Sequence, residues 1–223
     1  MRRATFLTIL AIGAAFSLPV FAVSVARQEY LDAIRSKPDV ERGAALFETC
    51  ATCHGANGGG AIDGSIPRIA GQHFRVIVKQ LVDYRHDKRW DPRMERYADR
   101  HLLGNAQALA DVAAYVSQLD RRMPRGVGFG AYTQRGNQIY AAQCRSCHGV
   151  GGEGNEKDLI PRVAGQHYEY VLRQMYDAVD GRRPNFSRSH VRLLSKLDRD
   201  DLVGLADALS RADWPERSDP AVR

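Results

Sequence analysis

Two five-residue stretches, Cys50-Ala51-Thr52-Cys53-His54 and Cys144-Arg145-Ser146-Cys147-His148, decide how this 223-residue chain folds. Each is a complete C-x-x-C-H sequence, and together they use all four cysteines. That spacing attaches a c-type haem: two thiols on one helical turn reach the two vinyl groups of a porphyrin, and the adjoining histidine swings under the iron. A thioredoxin-type redox pair would leave both histidines unexplained and would want a β-α-β surround. Structural zinc would want four ligands, and each stretch supplies three. The expectation is two covalently bound haem c groups, on Cys50 and Cys53 and on Cys144 and Cys147, with His54 and His148 as proximal iron ligands. No disulfide and no free thiol should remain.

Outward from the motifs, a shift of 94 positions superposes Cys50 on Cys144, and the match runs on. Ile66-Pro67-Arg68-Ile69-Ala70-Gly71-Gln72-His73-Phe74 returns as Ile160-Pro161-Arg162-Val163-Ala164-Gly165-Gln166-His167-Tyr168. Gln80, Asp83 and Arg89 meet Gln174, Asp177 and Arg183, while Arg42-Gly43 meets Arg135-Gly136 only after a one-residue slip. Two copies of a unit of about 90 residues make two domains rather than a solenoid. In each copy the apolar period is helical. Glu41 to Cys50 and Gln134 to Cys144 run into the motif, and glycine-rich loops follow. Phe74 to Tyr84 and Tyr168 to Val179 come next, and Leu109 to Leu119 and Leu202 to Leu209 close each unit. Pro124, Gly126, Gly128 and Gly130 break both periods. The chain is thus read as all-α, with a first domain over 27–123, a linker over 124–131 and a second domain over 132–223. A unit this small buries little apolar surface alone, so each tethered haem is expected to complete its core.

The N-terminus carries Arg2 and Arg3 and then an apolar run from Phe6 to Val25 broken by Pro19. That is the layout of a signal peptide over residues 1–26, cut after Ala22 or Ala26. The rival reading is an uncleaved anchor, since about 20 apolar residues just span a bilayer. The expected location is the periplasm, in solution if the signal is cut and membrane-associated if it stays. The formal charge of +6 falls to +4 when Arg2 and Arg3 leave. Haem propionates would bring it to roughly 0 to +2. Lys and Arg form no block of five or six like charges, so nucleic acid is not an expected partner.

Duplicated C-x-x-C-H units, each followed by a Pro-Arg-x-Ala-Gly-Gln-His segment, a Gln-Leu/Met helix and a closing Ala-Ala-Tyr-like helix, resemble the dihaem cytochromes c of the cytochrome c-4 type and the related monohaem c-553 proteins. The resemblance runs from about residue 40 to 210. It implies two tandem cytochrome c domains, each a small helical fold around one haem. It also implies that the Pro67 and Pro161 carbonyls accept from the proximal imidazoles, that Arg68 and Arg162 reach haem propionates, and that His73 and His167 open a helix as polar supports.

The chain departs from this family at the far side of each iron. Family members present a methionine there, and this chain has only Met1, Met94, Met123 and Met175. Met175 sits inside a helix and reads as core packing. His190, 42 residues after His148, is the expected distal ligand of the second haem. In the first domain His101, 47 residues after His54, is preferred over its rival Met94, because a His and a Leu-Leu pair recur together in both halves. Two bis-histidine haems would favour the ferric state relative to methionine-ligated ones.

Six-coordinate iron leaves no vacant site, so the expected function is electron transfer between redox protein partners, such as a membrane-bound oxidase or dehydrogenase, and not catalysis. No motif for a small-molecule substrate stands beside the haem motifs. The alternatives are a dihaem enzyme, peroxidase-like or thiosulfate-oxidising, and an electron-transfer subunit of a larger oxidoreductase.

Overall fold

The computed structural model describes residues 24–212. Most of the expected signal peptide, residues 1–23, lies outside them. The chain is helical, and among the described residues the strand-type pairing is a single bridge between Asn155 and Ile160.

In the first half, α1 (Val25–Arg35), α2 (Val40–His54), α3 (Phe74–Arg85), α4 (Pro92–Ala98), α5 (Arg100–Leu103) and α6 (Ala106–Gln118) follow one another. α2 is the expected first helix, carried on through the whole haem motif. Asp39 caps it, accepting from Arg42 N at 3.0 Å, and the left-handed Gly55 ends it. α1, α4 and α5 were not visible in the apolar pattern. α1 packs Ala26 and Ala33 into the core with Phe47, Val78, Val82, Leu109, Val112 and Val116. It is held by its buried Glu29, which pairs with Arg85 at 2.7 Å and Arg100 at 3.0 Å.

The second half repeats the plan. α7 (Thr133–Ile139) passes through a wide π turn (Tyr140–Cys144) into α8 (Arg145–His148), followed by α9 (Tyr168–Val179), α10 (Arg188–Leu194) and α11 (Arg199–Arg211). Its core gathers Ile139, Tyr168, Met175, Leu194, Leu202, Leu205 and Leu209. The π turn explains the slip in the repeat. Gly43 precedes Cys50 by seven residues and Gly136 precedes Cys144 by eight, and one wide turn absorbs the extra residue.

Both glycines sit where the helix leading into the haem motif crosses the last helix of its domain. A Cβ on Gly43 would lie 2.1 Å from the Asp111 carbonyl oxygen on α6, and one on Gly136 would lie 1.9 Å from that of Gly204 on α11. The preceding arginine locks each crossing from outside, Arg42 to Asp111 at 2.6 Å and Arg135 to Asp201 at 2.5 Å. The crossing fixes the direction in which the end of each motif helix points, and so where the two cysteines and the histidine stand.

Candidate haem sites

His54 closes α2 and is only 6% exposed. Its Nδ1 lies 3.0 Å from the Pro67 carbonyl oxygen, and Nδ1 of His148 lies 3.1 Å from that of Pro161. A carbonyl only accepts, so each Nδ1 carries the proton and each Nε2 keeps a lone pair for a metal. Burial lowers the pKa of both imidazoles, opposed by these carbonyls, which favours the neutral form that ligates. The loop after each motif folds back onto the histidine through the same bond, Gly60 N to His54 O at 2.8 Å and Gly154 N to His148 O at 2.7 Å.

Neither cysteine pair is disulfide-bonded, and the second thiol of each, Cys53 and Cys147, is exposed. Burial raises the pKa of Cys50 and pushes that of Cys144 up to about 11. A redox-active C-x-x-C has a lowered thiol pKa, and the first thiol of each pair is shifted the other way.

On the distal side the two halves differ. His190 stands with its ring centre 6.1 Å from that of His148, and Phe186 backs it at 4.8 Å. Burial first, and then the neighbouring His148 and Arg183, push the His190 pKa down to about 4. In the first half His101 is exposed on α5 and lines a shallow groove with Arg42, Leu46 and Asn105. At about 1.5 Å of rise per residue, Arg42 lies roughly 18 Å along α2 from His54. The residues beside His101 thus mark the end of α2 away from His54. Met94 and His190 hold matching positions in α4 and α10. Each is the third residue of its short helix, and each receives its N-cap there: Asp91 Oδ1 accepts from Met94 N at 3.3 Å, and Ser187 Oγ accepts from His190 N at 3.2 Å.

Arg68 is buried and spends both terminal nitrogens on the joint between the halves, donating to Gly165 O at 2.8 Å, Met123 O at 2.8 Å and Pro124 O at 2.9 Å. Its Nε is buried without a partner, a donor suited to a haem carboxylate. Two thiols, a lone-pair imidazole nitrogen and this orphaned N–H fit a haem c in the first half. Arg162, half-buried, offers its backbone to the joint: Gln72 donates to its carbonyl and accepts from its N–H, both at 3.0 Å.

Sequence reasoning missed the joint itself. Gln166 repeats the contact in the other direction, donating to Arg68 O at 2.8 Å and accepting from Arg68 N at 3.0 Å. His73 Nε2 reaches Glu153 O at 2.9 Å, and His167 Nε2 reaches Gly59 O at 2.7 Å. Each partner is again the other's counterpart 94 residues away. The Ala-Gly-Gln-His segments therefore build a pseudo-two-fold interface, with the polar groups of one domain satisfied by the other.

Two tandem helical domains, each presenting paired thiols and a carbonyl-oriented histidine at the end of its first conserved helix, define a dihaem c-type cytochrome. The family model described as cytochrome c matches residues 40–120 and 133–202, and the chain belongs to the cytochrome c family. Cytochrome c4 of Pseudomonas aeruginosa is 31% identical over 178 residues, covering 75% of this chain and 86% of that protein. A protein named thiosulfate dehydrogenase electron acceptor from Stutzerimonas stutzeri is 32% identical over 168 residues, covering 72% of each. The crystal structure of reduced recombinant cytochrome c4 from Pseudomonas stutzeri superposes with a TM-score of 0.70 at 26% identity, covering 79% of this chain and all of that one. With these relatives, the chain is an electron-transfer cytochrome carrying two haem c groups.

Proposed function

We propose that this chain is a periplasmic electron carrier whose two haems are unlike, with His54 and Met94 serving the first iron and His148 and His190 the second. Haem c supplies reversible one-electron exchange at its iron. The observation that carries the reading is the 6.1 Å between the His148 and His190 ring centres. With metal–nitrogen bonds of about 2 Å, two imidazoles on opposite faces of one ion have centres about 6 Å apart. The matching helix position of Met94 supports thioether ligation in the first half.

A thioether favours ferrous iron and raises the potential, whereas a second imidazole favours ferric iron. The reading therefore orders the two sites, the second domain low and the first high. A donor docks at the second domain and an acceptor at the first. Redox proteins, such as a dehydrogenase donor and a membrane-bound oxidase, are the partners this suits. The Stutzerimonas stutzeri relative, named as an electron acceptor of thiosulfate dehydrogenase, supports a dehydrogenase as donor. Export rests on Arg2, Arg3 and the apolar run after them. No helix among the described residues is long and apolar enough to cross a membrane.

Low-temperature electron paramagnetic resonance of the oxidised protein tests the ligands, with one His/His and one His/Met signal expected in equal amounts. Two identical signals would reject the asymmetry. Carbon monoxide binding rapidly to the reduced protein would open a coordination site and favour an enzyme of the peroxidase or thiosulfate-oxidising kind.

A further inference from the structure

The helix that carries Met94, α4, is only seven residues long, too short to hold its shape without support from outside. Asp91 caps its first turn. Its other end is held by a group of charges that begins on α1. Arg85, the last residue of α3, donates through Nε to the Ala98 carbonyl at 2.7 Å. That carbonyl belongs to the last turn of a helix, where the oxygens have no partner within the helix. Ala98 is fully buried, and it lies about one helical turn beyond Met94.

Arg85 is itself buried, with its side chain 3% exposed and its Nη2 unpartnered. Its counter-charge is Glu29 of α1, whose Oε1 lies 2.7 Å from Arg85 Nη1 and 3.0 Å from Nη2 of Arg100, the first residue of α5. The other oxygen lies 2.6 Å from Nε2 of His86, the C-cap of α3. Burial raises the Glu29 pKa, but the bonds from His86 and Arg85 outweigh it and hold the carboxyl below its ordinary value, so the group is an anion. One carboxylate thus ties the end of α3 to the junction of α4 and α5.

The pseudo-two-fold relation of the halves fails at this point. At the repeat spacing, Val179 stands for Arg85, Asp180 for His86 and Arg192 for Ala98. Valine offers no donor, and Asp180 pairs with Arg182 at 2.7 Å instead. Among the described residues, α7 follows the linker with no counterpart of α1 before it. Glu29 also precedes the residues matched by the cytochrome c family model, which begin at 40.

We infer that Glu29, acting through Arg85, is a positioning residue for the first haem that keeps the Met94 thioether on its iron. The inference rests on Met94 being the distal ligand there. Without the carboxylate, Arg85 is a buried charge with no opposite, which is costly enough to turn it out toward solvent. Ala98 then loses its donor and α4 loosens at its far end, so the thioether spends more time off the iron. His190 has no such support to lose.

The test adds imidazole to the oxidised holoprotein, where its nitrogen takes the iron position that the thioether leaves. Apparent affinity scales with the open fraction, so E29Q is expected to bind imidazole about tenfold more tightly at the first haem, with no change at the second. A second variant, E29M/R85M, separates positioning from folding. Apolar side chains of similar volume replace a buried ion pair at little or no cost in stability, but they offer Ala98 no N–H. Its denaturant midpoint should therefore match that of the unaltered protein while imidazole still binds tightly at the first haem. Weak binding regained in E29M/R85M overturns the inference, because stability alone would then account for the effect. So does an E29Q affinity that is unchanged, or that rises equally at both haems. An unaltered protein without the absorption band of a thioether–iron bond refutes Met94 as ligand and takes the inference with it. That band present, with E29Q affinity unchanged, rejects the role of Glu29 alone.

Discussion

Gln72 holds Arg162 across the domain joint by both ends of its amide, Nε2 donating to the carbonyl and Oε1 accepting from the N–H, each at 3.0 Å. One side chain thus does for two backbone groups what a strand neighbour would do. Gln72→Ala removes both bonds at once. At about 1 kcal/mol net for each hydrogen bond, and more for partners left buried, the cost should be roughly 1–3 kcal/mol. It should fall on docking of the halves and not on either core. Hydrogen exchange at the Arg162 amide is expected to accelerate well before that of α9, and equal acceleration everywhere would contradict a local role.

The distal ligands can be exchanged between halves. His190→Met should raise the second potential, and Met94→His should lower the first, each on the order of 100 mV within the roughly 0.8 V that axial ligands command. His101→Ala is expected to leave the optical and magnetic spectra of both haems unchanged. A lost or altered first-haem signal in that variant would restore His101 as ligand.

The helix crossings tolerate no side chain. Gly136→Ala would place a Cβ 1.9 Å from the Gly204 oxygen, and Gly43→Ala would place one 2.1 Å from that of Asp111. Both neighbours are backbone and cannot swing aside, so the cost should reach the upper part of the 1–3 kcal/mol usual for overpacking, or exceed it. Each variant is expected to lower the melting temperature and the yield of haem in the altered half, read as haem content per chain.

His73 and His167 make the joint sensitive to acid. Both have pKa values lowered by burial, His73 further by Arg162, while His167 is opposed by its bond to Gly59. His167 is fully buried, and its Nδ1 accepts from Gly126 N at 3.1 Å, a bond that protonation would break. For a histidine depressed on folding, the unfolded chain takes up protons first as pH falls below about 6.5. Stability from these groups is whole above that pH and is lost progressively below it. Denaturant midpoints should decline from pH 7 to 5, and less steeply in the double variant H73Q/H167Q. A parallel decline in both proteins would assign the effect to other groups.

On the reading of residues 1–26 as a signal peptide, the first helix constrains where it is cut. Ser24 caps α1 by accepting from Arg27 N at 3.3 Å, and Ala26 is buried. A cut after Ala22 keeps both, and a cut after Ala26 removes the cap, at about 1 kcal/mol, together with a packing residue. N-terminal sequencing of the exported protein is expected to begin at Val23.

The amino-acid sequence was sufficient for what is encoded along the chain. C-x-x-C-H is complete within five residues, because attachment needs only two thiols on one turn and a histidine beside them. The 94-residue repeat and the 3.6-residue period of Phe74 to Tyr84 are likewise readable without knowing any neighbour. α4 and α10 escaped that reading because seven residues with a polar cap carry too few apolar positions to show a period.

What lay beyond the sequence depended on distances through space. Whether His101 or Met94 faces His54 is set by how α4 is capped and laid against α3, not by its spacing from the motif. The second Ala-Gly-Gln-His copy looked like an echo of the first, and only the tertiary structure makes the two copies each other's partners. Hydrogen bonds between residues some 90 positions apart leave no local periodicity, since the groups they satisfy are backbone atoms that every residue possesses.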